Sequence, residues 1–558
     1  MNVDFQTIEY AYQRPPELDR PGGRRPLIVV GAGPVGLACA IELAQLGIEV
    51  LLLDDDYRLS SGSRAICFSK RSMEIFDRLG CGDPIVAKGV GWQRGKVFLR
   101  DRMVYEFDLL PEPGHKRPAF INLQQYYCEG YLVERARELP NLQIRWKNKV
   151  TGIEPRADGV TVQVETPDGA YTLAADWLIA ADGARSPVRT MIGQKSEGQV
   201  FRDRFLIADV RMTAPFPTER WFWFDPPFHP GQSVLLHKQP DDVWRIDFQL
   251  GWDADPVAER EPARVIPRVT ALLGADTPFE LVWCSVYTFA CMRMQKFRHG
   301  RVLFAGDAAH GVSPFGARGA NSGLQDAENL GWKLARVIQG RSPKSLLDSY
   351  DDERVYAADE NILNSTRSTD FITPKSHASR VMRDAVLTLA ADAPFARRLV
   401  NSGRLSVPAT LHGSALSTAD REPFDGPAVP GAPAIDAPVQ VDRWPRWWID
   451  LLPRRFTLAW RPADGDREAM ERVLDELRAL EPALELLTVR AAGDGGVEPL
   501  PGSVLVHDLE GKLTQRYDLR PGTVYLFRPD QHVAARGRRP DAARLAAALR
   551  RACGLGSL

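Results

Sequence analysis

The chain has 558 residues, of which 44% are hydrophobic and 26% are charged, and its net charge is −1. This length allows several domains, and the near-neutral charge excludes a bulk attraction to nucleic acid or to an anionic membrane. There is no apolar run long enough to span a bilayer, and the seven cysteines form no C-x-x-C pair. We therefore expect a multidomain cytoplasmic protein, and the sequence offers no convincing cluster of ligands for a metal ion.

A nucleotide-binding pattern follows a polar, proline-containing extension over residues 1–25. The apolar run 27–30 leads into a glycine-rich turn and a helical pattern, and the next apolar run ends at Asp54. In such a unit the first glycine makes a tight turn, the second lets the backbone approach a pyrophosphate, and the third lets the helix pack closely on the sheet. The pyrophosphate lies at the helix N-terminus, and the acid accepts hydrogen bonds from a ribose. The three glycines are Gly31, Gly33 and Gly36. This pattern leaves NAD and FAD both open.

The nucleotide fold is predicted to be interrupted and then resumed. A hairpin is expected over 159–173, and a separate buried strand, 177–180, ends at Asp182-Gly183. Antiparallel strands rich in aromatic residues follow between about 200 and 290. A third buried strand, 302–305, then leads to Gly306-Asp307 and a long helix from about 322 to 338.

The C-terminal part is predicted to be a separate unit after a linker over 401–440, which is rich in Gly, Pro, Ala and Ser. Its pattern of a strand, a helix, three strands and a helix over 441–558 resembles a thioredoxin-like domain, with 503–507 and 523–527 as a hairpin-like pair. Because it has no C-x-x-C, we expect packing, solubility or subunit contact rather than redox chemistry there.

Two further motifs give the nucleotide pattern a more specific meaning. They are Ala180–Arg189, with Asp182-Gly183 at a strand end, and Gly306–Asn321. With the first glycine turn, in this order, the chain resembles the class A single-component flavoprotein aromatic hydroxylases, typified by 4-hydroxybenzoate and phenol hydroxylases. The length and the tail resemble the 3-(3-hydroxyphenyl)propionate hydroxylase group.

The resemblance implies an α/β fold in three parts. A Rossmann-like FAD-binding domain of the GR2 type would cover 26–200 and 290–400. An inserted antiparallel-sheet substrate domain would cover 201–289, and the thioredoxin-like domain would follow the linker. A homodimer is the family expectation.

The resemblance also assigns FAD contacts. Asp307 would bind the ribityl chain, and Asp182 would organise the pyrophosphate region. A glycine-rich run beginning at Pro314 would lie along the isoalloxazine, since a backbone without Cβ atoms can approach a flat ring. The helix after it would stabilise negative charge on reduced flavin through its dipole. The other expected FAD-binding residues are Arg64, Gln125, Gly183, Gly306, Gly316, Gly319, Ala320 and Asn321.

The implied reaction consumes NADH or NADPH and O2. Reduced FAD would form a C4a-hydroperoxide that transfers one oxygen atom to a phenol, ortho to its hydroxyl. Pro314 is expected close to this chemistry. A dry pocket would be needed for the reactive oxygen species to survive.

Substrate contacts are predicted on the inserted sheet. Period two places His237 and Gln239 on one face of a strand, and Arg245 resembles an arginine that assists flavin movement and substrate charge. Gln239 stands where 4-hydroxybenzoate hydroxylase has a carboxylate-binding arginine. His237 is either the acceptor of a phenol proton or a structural histidine. Trp221 and Trp223 are either substrate contacts or core residues.

Three alternatives stay open. The substrate could be a larger polycyclic or polyketide phenol. The run from Trp221 to Pro226 has a superficial similarity to the Trp-x-Trp-x-Ile-Pro pattern of flavin-dependent halogenases, with Asp225 replacing the isoleucine. The chain could also be a non-catalytic, flavin-binding regulatory protein.

Overall fold

The computed structural model describes residues 5, 8–20, 22–60, 65–214, 216–400, 405–495 and 498–556. Three large sheets, with helices packed on them, organise this part of the chain. No helix within the described residues is long and apolar enough to cross a membrane.

The first stretch of the chain alternates short strands and helices. Its strands are β1 (Arg24–Val30), β2 (Val50–Leu53), β3 (Cys67–Ser69), β4 (Val90–Trp92), β5 (Arg94–Leu99), β6 (Arg102–Asp108), β7 (Phe120–Asn122), β8 (Leu142–Arg145), β9 (Lys149–Pro155), β10 (Val160–Thr166) and β11 (Gly169–Ala180). Its helices are α1 (Pro34–Gln45), α2 (Lys70–Leu79), α3 (Gly82–Lys88), α4 (Gln125–Arg137) and α5 (Pro187–Met191).

Long antiparallel strands come next, followed by helices. The strands are β12 (Ser196–Arg211), β13 (Arg220–Phe224), β14 (Ser233–Lys238), β15 (Val243–Leu250), β16 (Glu280–Met294), β17 (Arg298–His299), β18 (Val302–Phe304) and β19 (His310–Gly311). The helices are α6 (Pro262–Leu273), α7 (Gly319–Ile338), α8 (Asp348–Ile372), α9 (His377–Asp392) and α10 (Pro394–Arg397).

The C-terminal part holds the remaining elements. They are β20 (Pro438–Val441), β21 (Trp444–Trp447), β22 (Thr457–Trp460), α11 (Arg467–Leu480), β23 (Glu485–Ala491), β24 (Ser503–Asp508), α12 (Lys512–Tyr517), β25 (Val524–Phe527), β26 (Val533–Gly537) and α13 (Ala542–Ala552).

The nucleotide-type sheet has the order β17-β18-β11-β1-β2-β8, and the strands from β18 to β8 run parallel. The apolar runs of β1 and β2 are buried, as strands covered by helices on both faces require. One prediction is wrong here: Tyr171–Leu173 and Trp177–Ala180 belong to a single strand, β11. Its first half pairs with β10 and its second half lies between β1 and β18, so one strand serves both the hairpin and the parallel core.

The second sheet is antiparallel over most of its width, in the order β19-β16-β12-β15-β14-β13-β5-β6. Its last two strands come from residues 94–108, far ahead of the predicted insert, and β5 pairs in parallel with β13. The sheet therefore combines the region after residue 196 with a hairpin from the first stretch of the chain.

The third sheet has the order β21-β20-β24-β23-β22-β25-β26. Strands β22, β23 and β24 are parallel, whereas β25 and β26 are antiparallel to their neighbours. The predicted hairpin of 503–507 with 523–527 is wrong, because β24 and β25 lie on opposite sides of the β22–β23 pair. Helix α12 intervenes, and the Asp508 carboxylate accepts from the backbone N–H groups of Leu513 and Thr514 at its start.

A buried ion cluster joins the C-terminal part to the helices of the first sheet. We define it as Lys333 on α7, Glu353 on α8, and Arg528 and Asp530 after β25. Lys333 Nζ lies 2.7 Å and Arg528 Nη2 lies 3.0 Å from Glu353 Oε2, and Arg528 also binds Asp530. All four side chains are buried, and burial lowers the pKa of Lys333 to about 8. Charges in such a place are tolerated only because they are paired.

Candidate functional site

Three carboxylates and a glycine turn meet along one edge of the nucleotide-type sheet. Asp307 follows β18, Asp182 follows β11, Gly31 follows β1 and Asp54 follows β2, and these strands are parallel neighbours in that order. Since adjacent strands are about 4.8 Å apart, the four positions form a continuous edge at the carboxyl ends of the strands. This is where open α/β sheets bind ligands.

The glycines of the first turn have separate structural roles. Gly31 has φ +102°, and a Cβ there would come within 2.5 Å of the Ala181 carbonyl oxygen. A Cβ on Gly36 would lie 1.8 Å from the Gly31 carbonyl oxygen, so α1 can approach the turn only without a side chain. A Cβ on Gly33 would meet no protein atom within 4 Å. Gly33 therefore faces open space at the N-terminus of α1, as an approaching pyrophosphate requires.

The Asp54 side chain is hydrogen-bonded to the glycine turn that follows β1. Its carboxylate accepts from the backbone N–H groups of Ala32 and Asp56. Burial raises the pKa of Asp54 to about 6 in spite of these two hydrogen bonds. Ribose hydroxyl groups that donate to this carboxylate would favour its ionised form.

Asp182 has one satisfied and one unsatisfied oxygen. Oδ2 accepts from Val188 N at 3.0 Å, whereas Oδ1 is buried without a hydrogen-bond partner among the described residues. Burial raises the pKa of this carboxyl group. The next residue, Gly183, has φ +82°, which turns the chain away from the edge.

The third motif presents an exposed acid beside a helix start. Gly306 has φ +61° and donates its N–H to Asp326, and the Asp307 side chain that follows is exposed at the edge. Asp326 also binds His310 and Arg354, which hold its pKa below the usual value although burial opposes this. The buried contacts of Asp326 with Gly306, His310 and Arg354 thus hold this loop in place.

The start of α7 is organised by Asn321. Its side chain accepts from Ser69 N and Ser72 Oγ and donates to Cys67 O at 2.9 Å and to Ala317 O. This amide is occupied by protein groups, so a cofactor would meet the backbone here. Helix α7 begins at Gly319 without a side-chain cap, which leaves the N–H groups of Gly319 and Ala320 facing the preceding loop.

The loop before α7 carries the other predicted contacts. Gly316 has φ +99°, Ala317 has φ +51°, and Pro314 is exposed. On the opposite side, Gln125 at the start of α4 accepts from Ala65 N at 3.1 Å. The predicted contact Arg64 lies outside the described residues.

A row of polar side chains crosses the second sheet and faces this region. We call Arg220, His237, Arg245 and Asp209 the polar row. Arg245 on β15 lies opposite His237 on β14 and opposite Asp209 on β12. Strands β13 and β14 pair Trp221 with Leu236, so the preceding residue, Arg220, lies opposite His237. His237 Nδ1 lies 3.9 Å from Cys67 Sγ, and the carbonyl of that cysteine binds Asn321. Cys67 of strand β3 therefore connects the polar row to the start of α7.

Arg245 and Gln239 are both engaged by Asp209. Arg245 Nε lies 2.9 Å and Nη2 lies 3.2 Å from the two Asp209 oxygens, and Gln239 Nε2 donates to Oδ1 at 3.1 Å. All three side chains are buried. Arg245 lies beside His237 in register, and its charge is already balanced by the Asp209 carboxylate.

His237 is buried with a ring nitrogen free to bind. Its Nε2 has no hydrogen-bond partner among the described residues, and Asp247 Oδ2 lies at 3.6 Å, too far for a hydrogen bond. Burial lowers the pKa of His237, so the imidazole is neutral at neutral pH. A neutral ring with an unbonded nitrogen can accept a proton.

The two tryptophans of β13 lie on the other face of the sheet. Trp223 packs with Leu236 and Trp244 in one core, with Trp221 at its margin, whereas Phe222 packs with Phe315 of the loop before α7. The register requires this division, because Trp221 pairs with Leu236 and not with His237. Of the two interpretations of Trp221 and Trp223, this packing favours core residues over substrate contacts.

Sequence reasoning missed three members of the site, Arg220, Asp209 and Asp247. Each is a charged residue within an apolar, alternating strand, and that was the available signal. Within the described residues, no group of histidine, cysteine and acidic side chains could hold a metal ion.

The strand-end edge has the arrangement of a dinucleotide-binding protein, and comparison with known proteins makes this specific. Residues 24–365 match the family model described as the FAD binding domain, so the chain belongs to that family of flavoproteins. A flavin-dependent monooxygenase of Mycobacteroides abscessus is 33% identical over 357 residues, covering 60% of this chain and 71% of that protein. The 3-(3-hydroxy-phenyl)propionate/3-hydroxycinnamic acid hydroxylase of Escherichia coli is 27% identical over 520 residues, 91% of both chains.

Solved structures agree with this assignment. The flavin-dependent monooxygenase PieE, in complex with FAD and substrate, has a TM-score of 0.79 at 22% identity, covering 96% of this chain and 100% of that chain. Aklavinone-11 hydroxylase, in a ternary complex with FAD and aklavinone, has a TM-score of 0.75 at 25% identity, covering 95% and 99%. The predicted class is confirmed: the chain is an FAD-dependent monooxygenase of the aromatic hydroxylase type.

Proposed function

We propose that the chain hydroxylates a phenolic ring, ortho to its hydroxyl group, with NADH or NADPH as the electron donor. The observation that carries this proposal is the placement of the polar row, with its unbonded His237 nitrogen, across β3 from the start of α7. Overall, the ring, O2 and NAD(P)H with a proton give the hydroxylated ring, water and NAD(P)+.

The strand-end edge supplies the groups that FAD needs. Gly33 and the N-terminus of α1 would hold the pyrophosphate, Asp54 would hold the adenosine ribose, and Asp307 would hold the ribityl chain. The unsatisfied Oδ1 of Asp182 supports a ligand or an ordered water at the centre of this edge. When bound, FAD supplies hydride acceptance and the activation of O2.

Backbone groups before α7 would face the ring system of the flavin. The N–H groups of Gly319 and Ala320 stabilise negative charge at that point, because they add to the positive end of the α7 dipole. Phe315 packs into the aromatic cluster of the second sheet with Phe205 and Phe289, which excludes water from the interface between loop and sheet. A dry interface favours oxygen transfer over side reactions.

His237 is the proposed acceptor of the phenol proton. Removal of that proton makes the ring more electron-rich, and Asp247 at 3.6 Å would stabilise the imidazolium that forms. The Asp209–Arg245 pair holds the neighbouring strand in place and keeps a balanced charge beside the ring.

The substrate class we favour is a phenolic acid such as 3-(3-hydroxyphenyl)propionate, which the name of the E. coli relative also contains. A larger polycyclic phenol is the second candidate, favoured by the near-complete structural match to aklavinone-11 hydroxylase. The C-terminal part is proposed to be thioredoxin-like, since three parallel strands followed by an antiparallel pair and a closing helix fit that pattern. Its function there would be packing, and a homodimer stays a prediction.

The test is a panel of phenolic acids and polycyclic phenols, with O2 consumption and hydroxylated product measured together in the FAD-loaded protein. Product in proportion to NAD(P)H consumed supports the proposal. His237→Gln should lose most of the rate and its dependence on pH, whereas His229→Gln, a substitution in the same region outside the polar row, should not. Flavin that is never reduced by NADH or NADPH would contradict the proposal and favour a reductase-dependent halogenase.

A further inference from the structure

Arg220 is a buried guanidinium without a protein counter-ion. Only 8% of the residue is exposed, and its Nη1 is buried without a hydrogen-bond partner. Within the described residues, no carboxylate lies within salt-bridge distance of it. Other buried arginines differ: Arg71, Arg354 and Arg528 each bind a carboxylate.

A buried charge that lacks a partner is costly, and a protein keeps one where a ligand supplies the partner. The ring of Trp92 lies 5.8 Å from the Arg220 guanidinium, which gives it a weak cation–π contact and no neutralisation. Arg245, the other arginine of the polar row, is already paired with Asp209. Of the two arginines of the polar row, Arg220 is therefore the one whose charge is not balanced by a carboxylate within the described residues.

The position of Arg220 determines which part of a substrate it meets. It lies on β13, level with His237 on β14, whereas Asp247 lies one strand further on β15. The carboxylate of Asp247 would repel an anion on its own side of His237. An anionic group is thus directed to the β13 side and a phenol hydroxyl to the β14–β15 side.

We propose that Arg220 binds the carboxylate of the substrate and so selects phenols that carry an acidic side chain. This inference rests on the proposed function and deepens it. Gln239, another buried polar residue close to the polar row, donates to Asp209 and carries no positive charge for an acid.

The test compares two probes, 3-(3-hydroxyphenyl)propionate and its primary amide, which differ in charge and little in shape. Dissociation constants are measured on the FAD-loaded protein by calorimetry for the wild type, Arg220→Gln and Arg100→Gln. Arg100 is the control because its side chain, on the neighbouring turn, is 68% exposed. Arg220→Gln should weaken binding of the acid about 100-fold and of the amide less than about threefold, and Arg100→Gln should change neither.

A second measurement separates a ligand contact from a structural one. Because Arg220 has no carboxylate partner within the described residues, Arg220→Gln without ligand should melt at the same temperature as the wild type or higher. Arg220→Lys should keep part of the preference for the acid. Equal loss of acid and amide, no preference for the acid in the wild type, or a lower melting temperature would each overturn the proposal.

Failure of the proposed function would look different. If no phenol is hydroxylated, the proposed reaction is wrong, but anion binding at Arg220 can still be tested with benzoate as the probe. Benzoate should raise the melting temperature of the wild type and not that of Arg220→Gln. If phenols are hydroxylated without regard to charge, the reaction stands and the assignment of Arg220 is wrong.

Discussion

Two glycines of the first turn, three residues apart, should respond in opposite ways to the same substitution. In Gly36→Ala the new Cβ starts 1.8 Å from the Gly31 carbonyl oxygen, and contacts under 3.0 Å are essentially never seen. The backbone of Gly31 cannot move away without losing the hydrogen bond, 2.8 Å long, that its N–H donates to Leu53 O. Alanine gains about 1 kcal/mol in helix propensity, whereas overpacking costs about 1–3 kcal/mol or more. With backbone as the obstacle, we expect a net loss of about 2 kcal/mol.

Gly33→Ala meets no protein atom within 4 Å, and Gly33 already has φ −71° and ψ 177°, which alanine adopts readily. The weaker N-cap costs about 1 kcal/mol, and reduced freedom of the unfolded chain returns about 0.4–1 kcal/mol. The FAD-free protein should therefore be nearly as stable as the wild type. FAD should bind about 10- to 100-fold more weakly, since the methyl group occupies the approach of the pyrophosphate.

The assay is thermal unfolding of the FAD-stripped protein, followed by titration with FAD monitored by flavin fluorescence. Gly36→Ala should lower the melting temperature before FAD is added, and Gly33→Ala should lower the affinity alone. A Gly36→Ala protein as stable as the wild type, or a Gly33→Ala protein with unchanged affinity, would refute the assignment of roles within the turn.

Three other predictions follow from the structure. FAD affinity should rise as the pH increases towards about 6, by up to about tenfold per pH unit, because the ribose hydroxyl groups donate to the ionised form of Asp54. Asp54→Asn should remove this pH dependence in fluorescence titrations. Glu353→Gln should lower the free energy of unfolding, measured in urea, by about 3–5 kcal/mol, since Arg528 and Lys333 lose their shared carboxylate. The control Asp348→Asn breaks the exposed pair with Arg298 and should lower it by less than about 1 kcal/mol. Phe222→Leu should raise the fraction of NAD(P)H consumed without product, because Phe222 lies on the same face of the sheet as the polar row. Trp221→Leu, on the other face, should leave this fraction unchanged. The reverse result would place the substrate on the other face.

Local patterns were enough to predict the strand-end edge. A glycine turn or an acid directly after a buried apolar run lies at the carboxyl end of a strand wherever that strand is in the sheet, so Gly31, Asp54, Asp182 and Asp307 could be placed together. The roles of Gly31 and Gly36 also follow from local geometry and agree with the close contacts observed.

Pairing between distant strands could not be predicted in the same way. Alternation in β13 separates Trp221 from Phe222, but it does not say which face of the strand the rest of the molecule covers, so the sequence left Trp221 and Trp223 open as substrate contacts or core residues. Arg220 was missed because its significance depends on its neighbours across the sheet, and Asp209, His237 and Arg245 come from three other strands. The contribution of β5 and β6 to the second sheet is likewise a parallel pairing across more than 100 residues.

The buried ion cluster limits how this enzyme can be shortened. A chain that stopped before residue 440 would lose Arg528 and Asp530 and leave Lys333 and Glu353 beneath an exposed surface, along with Arg71, whose guanidinium donates to Gln531. Removing the tail without leaving these charges unpaired would require several of them to be replaced together. The C-terminal part is therefore structurally joined to the cofactor-binding half, and minimised versions for biocatalysis should redesign those positions before deleting it.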